Sequence, residues 1–302
     1  MIPSNGTKRT WQRVDGVLLL DKPAGVTSNA ALQIARRLFS AAKAGHTGTL
    51  DPMATGLLPL CFGEATKFSA DLLEADKTYE ADVLFGITTD TGDAEGEVLE
   101  CVAPVFDLGG LEEVLARFRG RITQIPPMYS ALKRDGQPLY RLARQGLEVE
   151  REPRDVTISS LVLLAFSGDR CRLQVRCSKG TYIRTLAEDI GRSLGCGAHL
   201  TALRRTRVGD LSIEQAVALD GLGDLAEAER GRWLLPPDTL LQSLHAVVLD
   251  ETREQRFCHG NPVPVESTFE GKCRVYKGDR LLGVGVVDVS GLLQPVRLVA
   301  TA

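Results

Sequence analysis

GHTGTLDPMATGLL, residues 45–58, sets one imidazole and one carboxylate among glycines, threonines and a proline, and then runs directly into an apolar segment. Gly45, Thr47, Gly48, Thr49 and Gly56 carry little side-chain bulk, so the backbone here can approach a ligand, or another part of the fold, closely. Asp51-Pro52 on its own is a turn former, because the carboxylate accepts local backbone hydrogen bonds and the proline fixes φ. The same carboxylate can attack an electrophilic carbon, notably a sugar anomeric carbon, or act as a general base. No second acid stands at a motif-like spacing, which argues against a two-carboxylate glycosidase.

The flanks give this stretch a scaffold. Upstream, GVLLLDKPAG reads as a short buried strand over Val17–Leu20 ended by a Pro23/Gly25 turn, and TSN supplies an N-cap for a helix through AALQIARRLF. Downstream, Lys77–Phe85 alternates as a strand does, TTDTGDAEGE is a loop of turn residues, and Leu111–Phe118 has helical spacing. Val156–Phe166 and Cys171–Cys177, joined by SGDR, predict a hairpin. GTYIRTLAEDIGRSLG starts as a strand end or turn and becomes a helix, with AHLTALRRTRVGDL after it. Adjacent strands with interspersed helices predict an α+β sheet rather than a strict βαβ alternation. WLLPPDTLL, residues 233–241, reads as a connector, and residues 246–302 as a small β-rich domain. The expected division is therefore 1–240 and 246–302.

A chain of 302 residues with 43% hydrophobic content can bury a substantial core. The net charge of −3 does not by itself suggest a polyanionic partner, but its distribution does. Ala131–Asp210 holds 15 Lys/Arg against 9 Asp/Glu, whereas Asp71–Gly120 holds 3 against 13. A basic surface is thus hidden inside an acidic average. The seven cysteines contain no Cys-x-x-Cys pair and fit reduced thiols better than a disulfide framework. Cys196-Gly-Ala-His199 is too sparse for a zinc site, so no metal is expected. The polar N-terminus MIPSNGTKRTWQRVDG lacks the apolar core of a signal peptide, and the apolar runs are too short to span a bilayer. A cytoplasmic location away from membranes is the expectation.

Two further patches bear on chemistry. In CSKGTYIRTL, Tyr182 and Arg184 would share a face at strand spacing, offering an aromatic platform and a guanidinium; equally, the Tyr could be half in the core with the Arg on its rim. Tyr79 in KTYEADVLFG reads as a packing residue with a wet hydroxyl, and Asp90 and Asp93 as turn and cap residues.

Taken in order, GVLLLDKPAGVTSN, AGHTGTLDPMATGLLPL, KTYEADVLFGITTDTGDAEG, QIPPMYSALKRDGQPLYRLARQG, CSKGTYIRTLAEDIG and HLTALRRTRVG strongly resemble the bacterial TruB-type tRNA pseudouridine synthases, over about residues 12–210. The resemblance implies that Asp51 is the catalytic aspartate that isomerises uridine 55 in the T-arm of tRNA, without a cofactor. It implies that Tyr79 stacks on the flipped uracil and that Arg184 holds Asp51 charged. Tyr182 and Leu203 would line the pocket, His46 would sit beside the nucleotide during flipping, and Lys22 would be structural or near the pocket. It further implies an RNA-docking insertion at about 124–152 carrying Lys133, Arg134, Arg141 and Arg144, with Arg204, Arg205 and Arg207 extending the basic track. The implied fold is a mixed, largely antiparallel sheet with a central catalytic cleft, followed by a small PUA-like β domain. No protein partner is implied, and a monomer is expected. Two rivals remain at this point: a nucleoside hydrolase using Asp51, and a tRNA-binding or folding factor whose catalysis is incidental.

Overall fold

The computed structural model describes residues 10–134, 136–266 and 268–300. The polar residues 1–9 of the N-terminus, Asp135 of the basic segment and the last two residues of the chain lie outside the described residues.

The apolar runs on either side of residues 45–58 become neighbours in one large mixed sheet. Its main strands are Gly16–Lys22 (β1), Thr55–Phe62 (β2), Lys77–Phe85 (β3), Gly120–Gln124 (β4), Arg154–Ser167 (β5), Arg170–Cys177 (β6), Ala198–Val208 (β7) and Val217–Ala218 (β8). They lie side by side in the order β8, β1, β2, β7, β3, β6, β5, β4. All neighbours run antiparallel except β1 with β8 and β2 with β7, so the sheet is mixed but largely antiparallel, as expected. The predicted hairpin forms as β5–β6, with both strands reaching further than their apolar runs.

β1 and β2 read as unbroken apolar runs rather than alternating ones because both faces are covered. On one face, three helices, Ser28–Leu38 (α1), Leu108–Arg117 (α2) and Ile183–Ser193 (α3), bury Leu32, Leu111, Leu115, Leu186 and Ile190 against Leu18, Leu60 and Val83. Thr27 starts α1 as foreseen, its hydroxyl accepting from the Ala30 N–H at 3.1 Å. On the other face, Val17, Leu19, Leu57 and Cys61 pack on Phe68, Leu72, Leu240 and Leu241. WLLPPDTLL is therefore more than a connector: its proline pair leads into a 3₁₀ turn, Pro237–Leu241, whose two leucines close this second core.

The parallel β2–β7 contact is short, Thr55 and Gly56 against Arg204 and Arg205, and it explains Gly56. Gly56 has φ +102°, and a Cβ there would lie 2.3 Å from the Arg205 carbonyl oxygen. Gly56→Ala should cost ~3 kcal/mol in urea unfolding, because neither strand can retreat without breaking the sheet.

A second sheet follows, formed by His245–Val248 (β9), Val263–Pro264 (β10), Gly271–Lys277 (β11), Arg280–Val287 (β12) and Leu292–Leu298 (β13), in the order β9, β11, β12, β13, β10. Its core of Phe257, Val263, Cys273, Val275 and Leu293 is separate from the larger one. Val284, however, packs into the second core of the main sheet, and Lys67 Nζ donates to the Leu298 carbonyl at 2.9 Å. Among the described residues no helix is long and apolar enough to cross a membrane.

Candidate active site

Asp51 hangs from the loop that enters β2, and two neighbours fasten that loop. Ser28, at the start of α1, donates its hydroxyl to the Leu50 carbonyl at 2.9 Å and accepts the Leu50 N–H at 2.8 Å. Lys22, at the end of β1, donates to the carbonyls of Pro23 at 2.8 Å, Val26 at 2.6 Å and Pro52 at 3.3 Å. Lys22, expected to be structural or near the pocket, is thus bonded to backbone carbonyls, one of them in the loop that carries Asp51. The residue is 0% exposed, and three acceptors occupy the three donors of its ammonium. Burial pulls its pKa down to about 8, against the attraction of Asp51.

So held, Asp51 lies at a cleft of about 620 Å³ whose walls include Tyr79, Leu132, Tyr182, Arg184, Leu203 and Arg205. The Arg184 side chain is only 4% exposed, and its Nε stands 3.0 Å from Asp51 Oδ2 and 3.7 Å from Asp93 Oδ2. Its other arms donate to the carbonyls of Thr91 at 2.8 Å and Tyr129 at 2.6 Å. Each of the three guanidinium nitrogens thus has a protein partner, and Arg184 serves Asp51 as a fixed counter-charge. Of the two carboxylates, Asp93 is enclosed at 5% side-chain exposure while Asp51 keeps 38% open to the cleft. Desolvation in the cleft pushes the Asp51 carboxyl above its usual range; Arg184 opposes this, Asp93 adds to it and Lys22 opposes it.

The walls follow from strand register. Tyr79 on β3 pairs with Arg205 on β7, and Leu203 lies two residues before Arg205, on the same face. Burial pushes the Tyr79 phenol up in pKa and the adjacent Arg205 opposes it, so the side chain is a neutral phenol at physiological pH. Tyr182 and Arg184 do not share a strand, contrary to the spacing expected from sequence. Tyr182 is the N-cap of α3 in extended conformation, φ −102° and ψ 113°, and Arg184 is in the first turn of that helix. Both reach the cleft because the chain changes direction between them. Buried Gln124 fixes that change of direction, donating to the Tyr182 carbonyl at 3.2 Å and accepting from its N–H at 3.1 Å.

His46 is outside the cleft lining. It sits on the short strand Ala44–His46 beside β2, with Nδ1 buried and without a partner among the described residues, and burial followed by the charge of Arg205 depresses its pKa. Lys133 and Arg134 form one arm of a two-residue hairpin with Gln137–Pro138, and Arg141 and Arg144 follow on the helical turn Leu139–Ala143 and its C-cap. All four are exposed. The same segment reaches the site, through Ser130, Ala131 and Leu132 in the cleft wall and through the Tyr129 carbonyl on Arg184.

Two arginines leave the basic track foreseen for them. Arg205 is 1% exposed and donates from Nε to the Leu57 carbonyl at 2.8 Å and from Nη2 to that of Gly48 at 3.2 Å. Arg204 forks onto Asp21 at 3.1 and 2.7 Å, and Arg207 remains exposed. Arg205 was legible in principle, since strand alternation puts it on the face of Leu203. Asp93 was not: its Oδ1 does cap the turn, accepting from Thr91 Oγ1 at 2.6 Å and from the Glu95 N–H at 3.1 Å, while Oδ2 faces Arg184.

An aspartate–arginine pair in a cleft of a mixed sheet, with two tyrosines and a leucine around it, suits chemistry on a nucleoside sugar, and the comparisons agree with that class. In fold, the chain superposes on a crystal structure titled as a Cbf5-Nop10-Gar1 complex with a TM-score of 0.72 at 25% identity, covering 95% of this chain and 84% of that one. A structure of an H/ACA RNP bound to a substrate RNA containing 2'-deoxyuridine shares the fold, with a TM-score of 0.72 at 22% identity over 99% of this chain and 93% of that one. In sequence, residues 36–183 match the N-terminal domain of the TruB family pseudouridylate synthases, residues 184–242 the C-terminal domain of tRNA pseudouridylate synthase B, and residues 246–299 the TruB C-terminal domain of pseudouridine synthase II. A tRNA pseudouridine synthase B of Dechloromonas aromatica (strain RCB) is 63% identical over 98% of this chain and 99% of its own length. One of Azoarcus sp. (strain BH72) is 58% identical over 95% and 96%. The chain belongs to the TruB family of pseudouridylate synthases, RNA-modifying isomerases.

Proposed function

We propose that this enzyme converts uridine 55 in the T-arm of tRNA to pseudouridine, with Asp51 as the reacting carboxylate. The observation that carries the reading is the 3.0 Å contact between Asp51 and an Arg184 whose other arms are held by backbone carbonyls, with the Asp51 side chain open to a cleft walled by Tyr79, Tyr182 and Leu203. Isomerisation breaks the bond between N1 and C1′, turns the uracil within the pocket and joins C5 to C1′. C5 gives up its proton and N1 ends protonated, so the reaction is balanced with no added reagent. Asp51 either attacks C1′ or takes the C2′ proton to give a glycal, and both routes need the ionised form that Arg184 supports.

The target base is stacked in folded RNA and must leave the stack to reach this cleft. Tyr79, as a neutral phenol, offers a stacking face and a hydroxyl near C5, while Tyr182 and Leu203 fill the remaining walls. His46, kept neutral by burial and by the charge of Arg205, is the residue assigned to accompany the nucleotide as it flips. Lys22 acts at one remove by holding the Asp51–Pro52 loop. Lys133, Arg134, Arg141 and Arg144 receive backbone phosphates, which gives affinity without reading sequence. Residues 1–240 form the catalytic unit with its insertion at about 124–152, and residues 246–302 a PUA-like β unit. The enzyme works in the cytoplasm as a monomer.

Tritium placed at C5 of the uridines in an unmodified tRNA tests this directly. Release should equal one site per tRNA and vanish when uridine 55 is replaced by cytidine; release that persists would overturn the assigned position. Replacing the four docking residues by Gln should weaken tRNA binding and lower the slope of log affinity against log salt by ~0.7 for each phosphate that is no longer neutralised. An unchanged slope in filter binding would remove them from the interface.

A further inference from the structure

A second cavity, of about 320 Å³, adjoins the catalytic cleft on the far side of Leu132, which lines both. Its walls carry Lys133, Arg134, Arg151 and Arg154 against the two acids Glu150 and Glu152. Arg134 is tied to the Glu150 carbonyl, and Arg151 donates to the Pro126 carbonyl at 3.2 Å and to Glu148 Oε1 at 3.0 Å. Arg154 stands apart. Among the described residues it forms no ion pair, and its Nε is buried without an acceptor; Arg151 Nε is buried without one as well.

The two buried Nε–H groups are closed off from the cavity, but the Arg154 guanidinium stands in its wall with no acid paired to it among the described residues, and such a charge calls for an oxygen-rich anion. A planar fork of such donors matches phosphate geometry. The cavity is also next to the reacting nucleotide. Arg154 Nη1 is 3.8 Å from where a Cβ on Gly180 would sit, and Gly180 and Tyr182 both line the catalytic cleft. The charge of Arg154 is felt at the Tyr182 phenol.

We propose that this cavity is a phosphate subsite, in which Arg154, assisted by Arg151, binds the phosphodiester of a nucleotide next to the target uridine. The proposal rests on the reading of the substrate as an RNA strand laid along the insertion. It separates two jobs within the basic segment: Lys133, Arg134, Arg141 and Arg144 gather the RNA from outside, while Arg154 registers one phosphate so that the uridine sugar arrives at Asp51. Arg154 is therefore a positioning residue, and it acts on substrate alignment rather than on bond making.

The test uses T-arm stem-loop RNAs that each carry one uncharged methylphosphonate, placed in turn at the phosphates flanking the target uridine. Each RNA is assayed with wild type, Arg154→Gln and Arg154→Lys by tritium release and by binding. At one position the methylphosphonate should raise the wild-type KM about tenfold and that of Arg154→Gln less than twofold, since the partner charge is already gone. Arg154→Lys, which keeps the charge but loses the fork, should fall between them and covers the case in which Arg154→Gln folds poorly. Penalties that multiply independently at every position, in both variants, would overturn the subsite and leave Arg154 as general positive charge. Failure of the wild type to act on the unmodified stem-loop would instead overturn the substrate reading itself.

Discussion

Asp51→Asn should abolish tritium release while leaving tRNA binding within a few-fold of wild type. The amide keeps the size of the side chain and can still meet Arg184, so the loop pinned by Ser28 and Lys22 has no reason to move. It can neither attack C1′ nor take a proton from C2′, so the rate should fall by ~10,000-fold or more, a loss in kcat rather than in KM. Single-turnover release with enzyme in excess measures this without interference from product dissociation. Activity within tenfold of wild type would remove Asp51 from the chemistry. The two rivals diverge on this variant as well. A nucleoside hydrolase would release free uracil in an Asp51-dependent way, whereas an RNA-folding factor would work undiminished.

Arg184→Gln should rank second in effect and carries a pH signature. The carboxyl of Asp51 is already pushed above its ordinary range by desolvation, with Arg184 as the first opposing influence. Activity needs the carboxylate, so it falls as pH drops through this pKa. With Arg184 neutralised the pKa rises further and the acid limb of the pH–rate profile moves to higher pH; no change is expected on the alkaline side from this group. At neutral pH the loss should be ~100- to 1,000-fold, combining a smaller ionised fraction with the loss of a fixed positive charge beside the reacting centre. Arg184→Gln also leaves the Asp93 carboxylate enclosed without its cation, which adds a stability cost of ~3 kcal/mol readable by urea unfolding. An acid limb that stays in place would show that Arg184 does not govern the ionisation of Asp51.

How far the sequence carried these conclusions depended on how local the signal was. β1, β3 and the β5–β6 hairpin were legible because apolar composition and alternation are properties of a few consecutive residues. The stretch around Asp51 stood out because glycines, threonines and a proline surround one carboxylate, while the residues alone left Asp51 open between turn former and reacting group. Tyr182 and Arg184 both line the cleft but do not share the strand face expected of them, since a two-residue spacing means one face only within a strand, and here a helix begins between them. Arg205 was placed on the basic track; alternation puts it on the face of Leu203, but its full burial depends on β7 lying between β2 and β3, which local pattern does not give. Asp93 shows the same limit: its turn is visible in TTDTGDAEG, yet its approach to Arg184 requires a loop and a helix far apart in the chain to meet.

The place of β7 in the sheet also has a consequence for biosynthesis. Asp51 belongs with β1 and β2, and Tyr79 with β3, but β2 and β3 are not neighbours; β7 joins them, through two residue pairs on one side and nearly its whole length on the other. A chain emerging from the ribosome therefore completes Asp51, the carboxylate proposed to react, long before the strand that brings it to the tyrosine. Until residues 198–208 arrive, β3 has an unpaired edge and the apolar run of β2 is partly uncovered, so this stage is slow by virtue of its long loop closure and exposed to aggregation. Truncations that end before β7 should retain every residue of the GHTGTLDP stretch and still be catalytically silent.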